Sequence, residues 1–555
     1  MIWDLFFMFG GVAVMMFGMK LMGGGLEHVA GGGMKKMLGK ITSNRFAGVG
    51  VGLAVTSIIQ SSTATTVMLV GFVNIGLLTL VQATNVIMGA NIGTTVTAHI
   101  VSLSSVADIG AIAAMVGCIG VLMSMLMKNE KAINIGNILG GLGLIFVGLE
   151  FISTYAKYIM FIKGTTTPHA WVETIFMADH FPLLLVLIGI VLTALVHSSS
   201  TITSLMVVLA SIGVLSFENA LFLALGSNIG TCVTSILSSA GTNVNAKRTA
   251  FVHLAFNTFG CVIFIIPLWI LKNDVAALFA SMSNDVGQQI AIFHTLFNVV
   301  TTLILLPFSK YVVKLVCFII PEKKIEEVND KYKFQYIDDR LLSTPAVAAG
   351  NIKKEIVRMG DLAKDNINSA IEMLLNEKVD NEEVIEENEA LINHLNKNIV
   401  AFLTKLMGKD LSDEDDKKVG SYYHVVSDIE RIGDYAENIM EYSQKLREED
   451  LGLSAEAKEE LTELTNKFNS LYDYAITAFD DRNLSILSSV AEVEESIDEF
   501  SKELESRHID RLKKGACTAQ TGSVFLQTVS NLERVSDHIT NVAFSIKQYR
   551  FQKNA

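Results

Sequence analysis

The sequence predicts an all-α protein in which a polytopic membrane region is followed by a soluble helical bundle. Residues 1–320 contain only 10 acidic and 14 basic residues, whereas the rest of the chain contains 47 acidic and 30 basic residues. Uncharged apolar runs of about twenty residues recur in the first region, and this length spans a hydrocarbon core about 30 Å thick. The second region is rich in Glu, Lys, Leu and Ile, with helical periodicity and no long apolar run.

The first apolar run, MIWDLFFMFGGVAVMMFGMKLM, lacks the basic start of a cleaved signal peptide, so we interpret it as a membrane span. Assigning the basic loops to the inside, as the positive-inside rule expects, predicts an outside N-terminus and a cytoplasmic C-terminal region. The last span is predicted at 288–314. We therefore expect a multi-pass protein of the cell (inner) membrane, in contact with the lipid bilayer.

An internal duplication organises the membrane region. Thr56–Thr97 aligns without a gap with Thr193–Thr234, and 16 of the 42 aligned pairs are identical. The matches include polar and glycine positions that apolar sequence would rarely keep in register by chance. We predict two transmembrane repeats, residues 1–131 and 132–320.

Each repeat contains an apolar stretch that is too long for one span. A continuous helix over 47–77 would be about 46 Å long, against a hydrocarbon core of about 30 Å. A re-entrant hairpin, with two half-length arms meeting at QSST or HSSS, accommodates this length. The charge pattern makes the two hairpins enter from opposite faces, which predicts inverted repeats with broken helices at the midplane, a plan common among secondary transporters.

The hairpin turns suit an anion. Freed backbone N–H groups and the positive end of a half-helix face the turn, and Ser and Thr hydroxyls add donors. Residues 46–107 contain no Asp, Glu, Lys or Arg, so a bound anion needs a co-bound cation, and neutral oxygen ligands suit Na⁺. The alternative is that these hydroxyls only join helices to one another.

The paired motifs QSSTATT with GANIGT and HSSSTIT with GSNIGT resemble the signature of the type II sodium-dependent phosphate cotransporter family. The resemblance implies inorganic phosphate as substrate and Na⁺ as coupling ion. It implies that phosphate is bound by Gln60, Ser61, Ser62, Thr63, His197, Ser198, Ser199 and Ser200. It implies that sodium is bound by Thr56, Thr66, Asn91, Thr94, Thr193, Thr203, Asn228 and Thr231.

Two positions depart from the Gln-Ser-Ser-Ser pattern that the family usually has in both copies. Thr63 keeps the hydroxyl of the serine that it replaces, whereas His197 replaces an amide. Either the imidazole is neutral and takes the role of the amide, or it titrates and allows proton coupling or pH control. A smaller recurring pattern, HLAFN and HTLFN, places His and Asn on one helix face, which favours an interhelical hydrogen bond.

The acidic C-terminal region, 345–555, follows a predicted linker, 321–344, and has its own duplication. DIERIGDYAENI matches NLERVSDHITNV at a spacing of 103 residues. This region resembles the PhoU family, which implies two three-helix repeats and a phosphate-regulatory role. In some members such carboxylates bind divalent metal, which suggests Glu430, Asp434, Glu533 and Asp537; the alternative is a solvated or salt-bridged face.

No nucleophile, phosphate loop or His/Cys metal set suggests an enzyme, and the acidic C-terminal region argues against nucleic acid as a partner. We predict a sodium-coupled phosphate symporter with a fused regulatory domain. Its expected protein partners are a second copy of the chain, in a homo-oligomer, or a cytoplasmic regulatory protein. The alternatives are a carrier of another small anion, a proton-coupled phosphate carrier, and a phosphate sensor that does not transport.

Overall fold

The computed structural model describes residues 2–39, 44–106, 110–163, 165–177, 181–322, 332–409 and 411–547. Its contacts divide the chain into two compact units, Met1–Lys324 and Ile325–Ala555. Apart from one isolated bridge between Phe161 and Pro168, all regular structure in the described ranges is helical. The predicted all-α class is confirmed. Part of the predicted linker, 323–331, lies outside the described residues.

The membrane unit consists of long helices that could span a bilayer and shorter helices between them. Its helices are α1 (Ile2–Gly39), α2 (Arg45–Ile59), α3 (Ser62–Asn74), α4 (Leu80–Val106), α5 (Gly110–Leu126), α6 (Glu130–Met160), α7 (Ala170–Val172), α8 (Pro182–Val196), α9 (Ser199–Ser211), α10 (Phe217–Gly230), α11 (Cys232–Ser238), α12 (Val244–Ile270), α13 (Lys272–Met282), α14 (Val286–Leu305) and α15 (Ser309–Ile319). Among the described residues, six segments are long and apolar enough to cross a membrane, in α1, α4, α6, α10–α11, α12 and α14. The protein is therefore a membrane protein, as predicted.

The two re-entrant hairpins are α2–α3 and α8–α9. Each packs against the next long helix of its own repeat through glycines. A Cβ at Gly52 would lie 2.0 Å from Val86 O, and one at Gly226 would lie 2.0 Å from Val186 O. Since such distances leave no room for a side chain, glycine at these places lets α2 touch α4 and α8 touch α10 backbone to backbone.

Helices α1 and α6 show that the repeats are inverted. Gly11 touches Gly148 and Gly18 touches Gly141, where an added Cβ would lie 2.6–2.8 Å from the partner's carbonyl oxygen. The earlier glycine of α1 contacts the later glycine of α6, and the later glycine of α1 contacts the earlier one of α6, so the two helices run antiparallel. Gly11 and Gly18 are also the sequence equivalents of Gly141 and Gly148, so the contact is the same from both sides, as at a two-fold axis.

The two Asn-Ile-Gly-Thr motifs differ in structure, and one predicted span needs correction. Helix α4 continues through GANIGT, whereas α10 ends within GSNIGT, with Thr231 separating it from α11. The span predicted at 288–314 is two helices, because Pro307 has no N–H to continue the helical hydrogen bonds, so that α14 ends at Leu305.

The soluble unit forms two three-helix repeats, as predicted. The first repeat is α16 (Pro345–Leu375), α17 (Glu382–Met407) and α18 (Asp413–Glu448); the second is α19 (Ala455–Asp481), α20 (Leu487–Lys513) and α21 (Ala519–Phe544). Each helix buries an apolar stripe, and Glu460 receives two hydrogen bonds from Arg511, at 2.9 and 2.7 Å, across α19 and α20. The end of the predicted linker belongs to this unit, because the N–H groups of Gln335 and Tyr336 donate to Glu355.

Candidate functional site in the paired hairpins

Both hairpin turns have the same unusual backbone. α2 ends at Gln60 with φ 57°, and α8 ends at His197 with φ 59°. Among the described non-glycine residues only Asp450 and Arg482 also have positive φ. The left-handed conformation costs an L-residue roughly 1–2 kcal/mol. The two turns therefore place a polar residue in a conformation that costs stability, at equivalent positions of the two repeats.

Serine side chains begin the second arm of each hairpin. Ser61 Oγ accepts from the N–H of Ala64 at 3.1 Å, and Ser198 Oγ accepts from the N–H of Thr201 at 3.2 Å. These N-caps satisfy one of the donors that a helix start leaves unpaired, whereas the first N–H groups of α3 and α9 keep no intrahelical acceptor. Two half-helix N-termini, each with its dipole end, therefore point toward the turns.

Ser62 and Ser199 are the first helical residues after these caps. They are 7% and 4% exposed. Among the described contacts, neither hydroxyl makes a hydrogen bond inside the protein. Thr63 and Ser200 follow them, the former half-buried and the latter buried. The turns therefore hold hydroxyl donors that the fold does not use.

The residue in the turn of each repeat contacts an equivalent threonine. Thr97 Oγ1 donates to Gln60 Oε1 at 2.8 Å, and Thr234 Oγ1 lies 2.9 Å from His197 Nδ1. When Thr234 donates as Thr97 does, Nδ1 is unprotonated and Nε2 carries the ring proton. A neutral imidazole then offers one acceptor and one donor, as the glutamine amide does.

Each hairpin packs against the other repeat, which brings the two motifs of the sequence together. In the first repeat, α3 packs against α11 and α12; in the second, α9 packs against α4 and α14. Thus the second arm of each hairpin packs against the element that carries, or directly follows, the other repeat's Asn-Ile-Gly-Thr motif. The sequence predicted the motifs, but not this exchange between repeats.

All eight residues predicted to bind sodium are buried, with exposures of 6% or less. Most of their hydroxyls already make a hydrogen bond: Thr56 donates to Thr65 within the first hairpin at 3.0 Å, and Thr193 on α8 donates to Ser227 on α10 at 2.8 Å. Thr203 is the exception, since its buried Oγ1 has no partner. An oxygen of this kind is available to a cation.

The two motif asparagines are held differently. Asn91 donates to Ile87 O in its own helix at 2.9 Å, and its Oδ1 accepts no hydrogen bond among the described residues. Asn228 is held from both sides, because its Oδ1 lies 3.0 Å from His294 Nε2 and its Nδ2 donates to Asn298 Oδ1 at 3.3 Å. Sequence reasoning had singled out the HTLFN pair as an interhelical bond and missed that its target is the motif asparagine.

The predicted metal ligands of the soluble unit lie on α18 and α21. Burial, followed by the charge of Asp434, raises the pKa of Glu430, and burial also raises the pKa of Asp434. The pKa values of Glu533 and Asp537 are raised by burial and then by the charge of Asp498. No group of three or more His, Cys, Asp or Glu side chains in the described ranges is arranged to hold a metal ion. Metal binding by these carboxylates stays a prediction.

Sequence reasoning missed the most perturbed carboxyl of this unit. Glu389 on α17 is 5% exposed, and its Oε2 has no hydrogen-bond partner. Burial, followed by the charges of Asp434, Glu437 and Glu430, raises its pKa to about 7. Since Glu389 lies outside the duplicated segments DIERIGDYAENI and NLERVSDHITNV, only its packing against α18 could have revealed it.

Two family models match the chain. The Na⁺/Pi-cotransporter model matches residues 14–154 and 170–303, and the PhoU domain model matches residues 356–443 and 461–546. YjbB of Salmonella typhimurium, provisionally named an inorganic phosphate export protein, is 24% identical over 537 residues, which cover 96% of each chain. YqeW of Bacillus subtilis, named as uncharacterized, is 30% identical over 306 residues, which cover 55% of this chain and 95% of its own.

More distant matches cover parts of the chain. Sodium-dependent phosphate transport protein 2C of Rattus norvegicus is 34% identical over 152 residues, 25% of this chain and 24% of that protein. The solved structure of PhoU from Pseudomonas aeruginosa has 21% identity and a TM-score of 0.34, covering 36% of this chain and 94% of that chain. On the two family models and the full-length relatives, the chain belongs to the Na⁺/Pi-cotransporter family, a family of transporters rather than enzymes, and carries a PhoU domain after its membrane unit.

Proposed function

We propose that the protein is a sodium-coupled symporter of inorganic phosphate whose two hairpin turns bind the substrate. The observation that carries this proposal is the pair of left-handed turns, each followed by a serine-capped half-helix with spare N–H and hydroxyl donors. These are the groups that bind oxyanions at helix starts. Phosphate would be held by Gln60, Ser61, Ser62, Thr63, His197, Ser198, Ser199 and Ser200.

Sodium supplies the positive charge that the turns lack. No Lys or Arg occurs in residues 46–107 or 164–246, so a bound phosphate meets backbone dipoles, hydroxyls and the side chains of Gln60 and His197 in the two turns. The unpaired oxygens of Asn91 and Thr203 are neutral hard ligands of the kind that Na⁺ prefers. Asn228 would contribute from a fixed position, because His294 and Asn298 hold its amide. The roles of Thr56, Thr66, Thr94, Thr193 and Thr231 rest on the family resemblance.

Symport is reversible, so the gradients set the net direction. The relatives that match over nearly the whole chain are named for export, whereas the rat relative is named for sodium-dependent transport. Export in the cell would need the phosphate gradient to outweigh the sodium gradient. We infer sodium coupling from the site, and the direction of phosphate transport follows from the two gradients.

The deciding experiment measures labelled phosphate flux in vesicles that contain the purified protein. An inward Na⁺ gradient is compared with an equal K⁺ gradient and with a proton gradient, and the Na⁺ gradient is then reversed. We expect uptake with inward Na⁺ only and efflux when it is reversed. Equal flux without sodium would overturn the coupling, and flux on the proton gradient alone would favour titration of His197.

The same vesicles separate the other candidates. Excess unlabelled succinate should leave phosphate flux unchanged, because the turns contain no Arg to clamp a carboxylate. Absence of flux under every gradient, with phosphate binding retained, would make the protein a sensor.

We propose further that the PhoU domain, within 345–555, regulates transport from the cytoplasm, that the linker is 321–344, and that the membrane repeats meet near 131/132. The positive-inside pattern supports the cytoplasmic location of the PhoU domain, the outside N-terminus and the assignment to the inner membrane. Elemental analysis of the purified protein for divalent metal tests the carboxylate prediction for α18 and α21. The expected protein partners are a cytoplasmic regulatory protein or a second copy of the chain in a homo-oligomer.

A further inference from the structure

Helix α15 lies along one face of the membrane unit rather than across it. Just before it begins, the carbonyls of Leu306 and Pro307 accept hydrogen bonds from Arg45, at the start of α2. Just after it ends, Ile320 O accepts from Arg248 Nε at 3.0 Å, in the second turn of α12. Each end of α15 therefore lies at the same depth in the membrane unit as the start of another helix, α2 at one end and α12 at the other.

Those two starts lie at the same face. α2 and α3 form a hairpin, so Arg45 and Asn74 at its open ends are on one side of the unit. Asn74 accepts two hydrogen bonds, of 2.9 and 2.8 Å, from the backbone N–H and the side-chain amide of Asn243, the cap of α12. α15 is also only 11 residues long, about 16 Å, which is half of a hydrocarbon core.

The surface of α15 has three sectors. One sector, formed by Ser309, Val312 and Val316, is buried against the unit. A second sector is exposed although it is apolar. It consists of Phe308 (55%), Tyr311 (69%), Leu315 (39%), Phe318 (84%) and Ile319 (56%). The third sector contains Lys310 and Lys314, both exposed and one turn apart.

The charges of this helix are of one sign. Residues 286–321 contain two lysines, no Arg, Asp or Glu, and one histidine, His294 on α14. Exposed aromatics beside lysines on a short helix are typical of segments that lie in the membrane interface.

We propose that α15 lies in the plane of the bilayer surface and binds anionic lipid headgroups. Its apolar sector enters the acyl boundary, and Lys310 and Lys314 reach the headgroup phosphates by extending along the interface. The occupant is the lipid leaflet, because an apolar sector beside two lysines is complementary to acyl chains beside anionic headgroups. The inference does not depend on sodium coupling, and its test measures no transport.

The test places a reporter in the apolar sector of the full-length protein. Trp3, Trp171 and Trp269 are changed to Phe and Tyr311→Trp is introduced, so that a single indole reports on α15. The protein is reconstituted into phosphatidylcholine vesicles in which either brominated phosphatidylcholine or brominated phosphatidylglycerol is mixed. The relative affinity of the site for the two lipids follows from the quenching curves.

We expect strong quenching, with phosphatidylglycerol preferred by roughly fivefold to 30-fold, since each lysine near an anionic surface contributes about fivefold. The double variant Lys310→Gln/Lys314→Gln should bring this preference close to one. The matched variant Lys128→Gln/Lys131→Gln, which removes two exposed lysines before and at the start of α6, should keep it. An unquenched indole would show that protein covers α15, and equal quenching by both lipids would show that headgroup charge is not recognised. Either result overturns the proposal.

Discussion

At the scale of single residues, the two turns combine backbone strain with unused donors. Gln60 and His197 occupy the left-handed region, and the serines that follow them cap half-helices. The sequence predicted the hydroxyl positions because polar residues in apolar sequence are conspicuous. It did not predict the left-handed backbone, since neither Gln nor His marks such a turn as Gly would.

Removing one hydroxyl from either turn should cripple transport while the fold survives. Ser62→Ala and Ser199→Ala each delete a donor that makes no hydrogen bond inside the protein, so stability should change little. A lost hydrogen bond to a charged group is worth about 1.5–3 kcal/mol, which predicts roughly a tenfold to 100-fold loss of phosphate flux or apparent affinity. The measurement is labelled phosphate flux in vesicles.

The control is Ser211→Ala, which changes the same residue type at the far end of α9, where Ser211 Oγ donates to Val207 O. That variant should transport normally. Normal rates in Ser62→Ala and Ser199→Ala would show instead that these serines serve packing.

Glu389→Gln should make the soluble unit more stable at high pH. Since burial raises the pKa of Glu389 to about 7 from an ordinary 4.5, the folded unit keeps a proton that the unfolded chain has already released. Stability therefore falls as pH rises from about 4.5 to 7 and stays reduced above it. The glutamine removes that loss, so the gain over the native residue should reach on the order of 2 kcal/mol at pH 8.

Hydrogen exchange of α17 and α18 in the full-length protein measures this gain, with variant and native protein compared at pH 5 and pH 8. Glu386→Gln, an exposed change on the same helix, is the control. A gain of equal size at both pH values would contradict the proposed cause.

At the scale of helices, length and composition predicted the hairpins well. A stretch too long for one span had to turn back, and both turns occur at the predicted serines. The sequence does not say which of the two Asn-Ile-Gly-Thr motifs interrupts its helix, because glycine permits a break without requiring one. In α4 the same glycines, including Gly89, are used for contact with α2. Helix α15 was missed because its apolar sector extends the hydropathy of α14.

Gly52→Ala should prevent the first hairpin from docking. Its Cβ would lie 2.0 Å from Val86 O, so α2 and α4 would have to separate by more than an ångström along their contact. Gly50→Ala is the matched control, because nothing lies within 4 Å of a Cβ there. We expect Gly50→Ala to purify as the native protein does and Gly52→Ala to aggregate or to lose most of its thermal stability in detergent. Equal stability of the two variants would contradict the close packing.

At the scale of the whole molecule, composition alone located the division between the two units. The charge content changes near residue 320, and the contacts divide at Lys324. A segment rich in charged residues does not enter the hydrocarbon core of a membrane, so this boundary can be predicted from the sequence. The inversion was also predicted, but the antiparallel pairing of α1 with α6 was not, since no pattern says which two helices will meet.

The inverted arrangement makes a prediction about sidedness. Thr79 and Ser211 are exposed near the open ends of the first and second hairpins, which should lie on opposite faces. Single-cysteine variants Thr79→Cys and Ser211→Cys, made without the five native cysteines, are treated in intact cells with a maleimide that does not cross membranes. We expect labelling of Ser211→Cys only, with both labelled after the cells are opened. Labelling of both before opening, or of Thr79→Cys alone, would contradict the proposed orientation.

The antiparallel glycine contact between α1 and α6 has a consequence for the origin of the chain. Since Gly11 meets Gly148 and Gly18 meets Gly141, both sides of the contact use one pattern. A half-length ancestor, inserted in either direction, could thus have built the same assembly from two separate copies. Gene fusion would then have locked the opposite orientations into one polypeptide and freed the halves to diverge, as Gln60 and His197 have done.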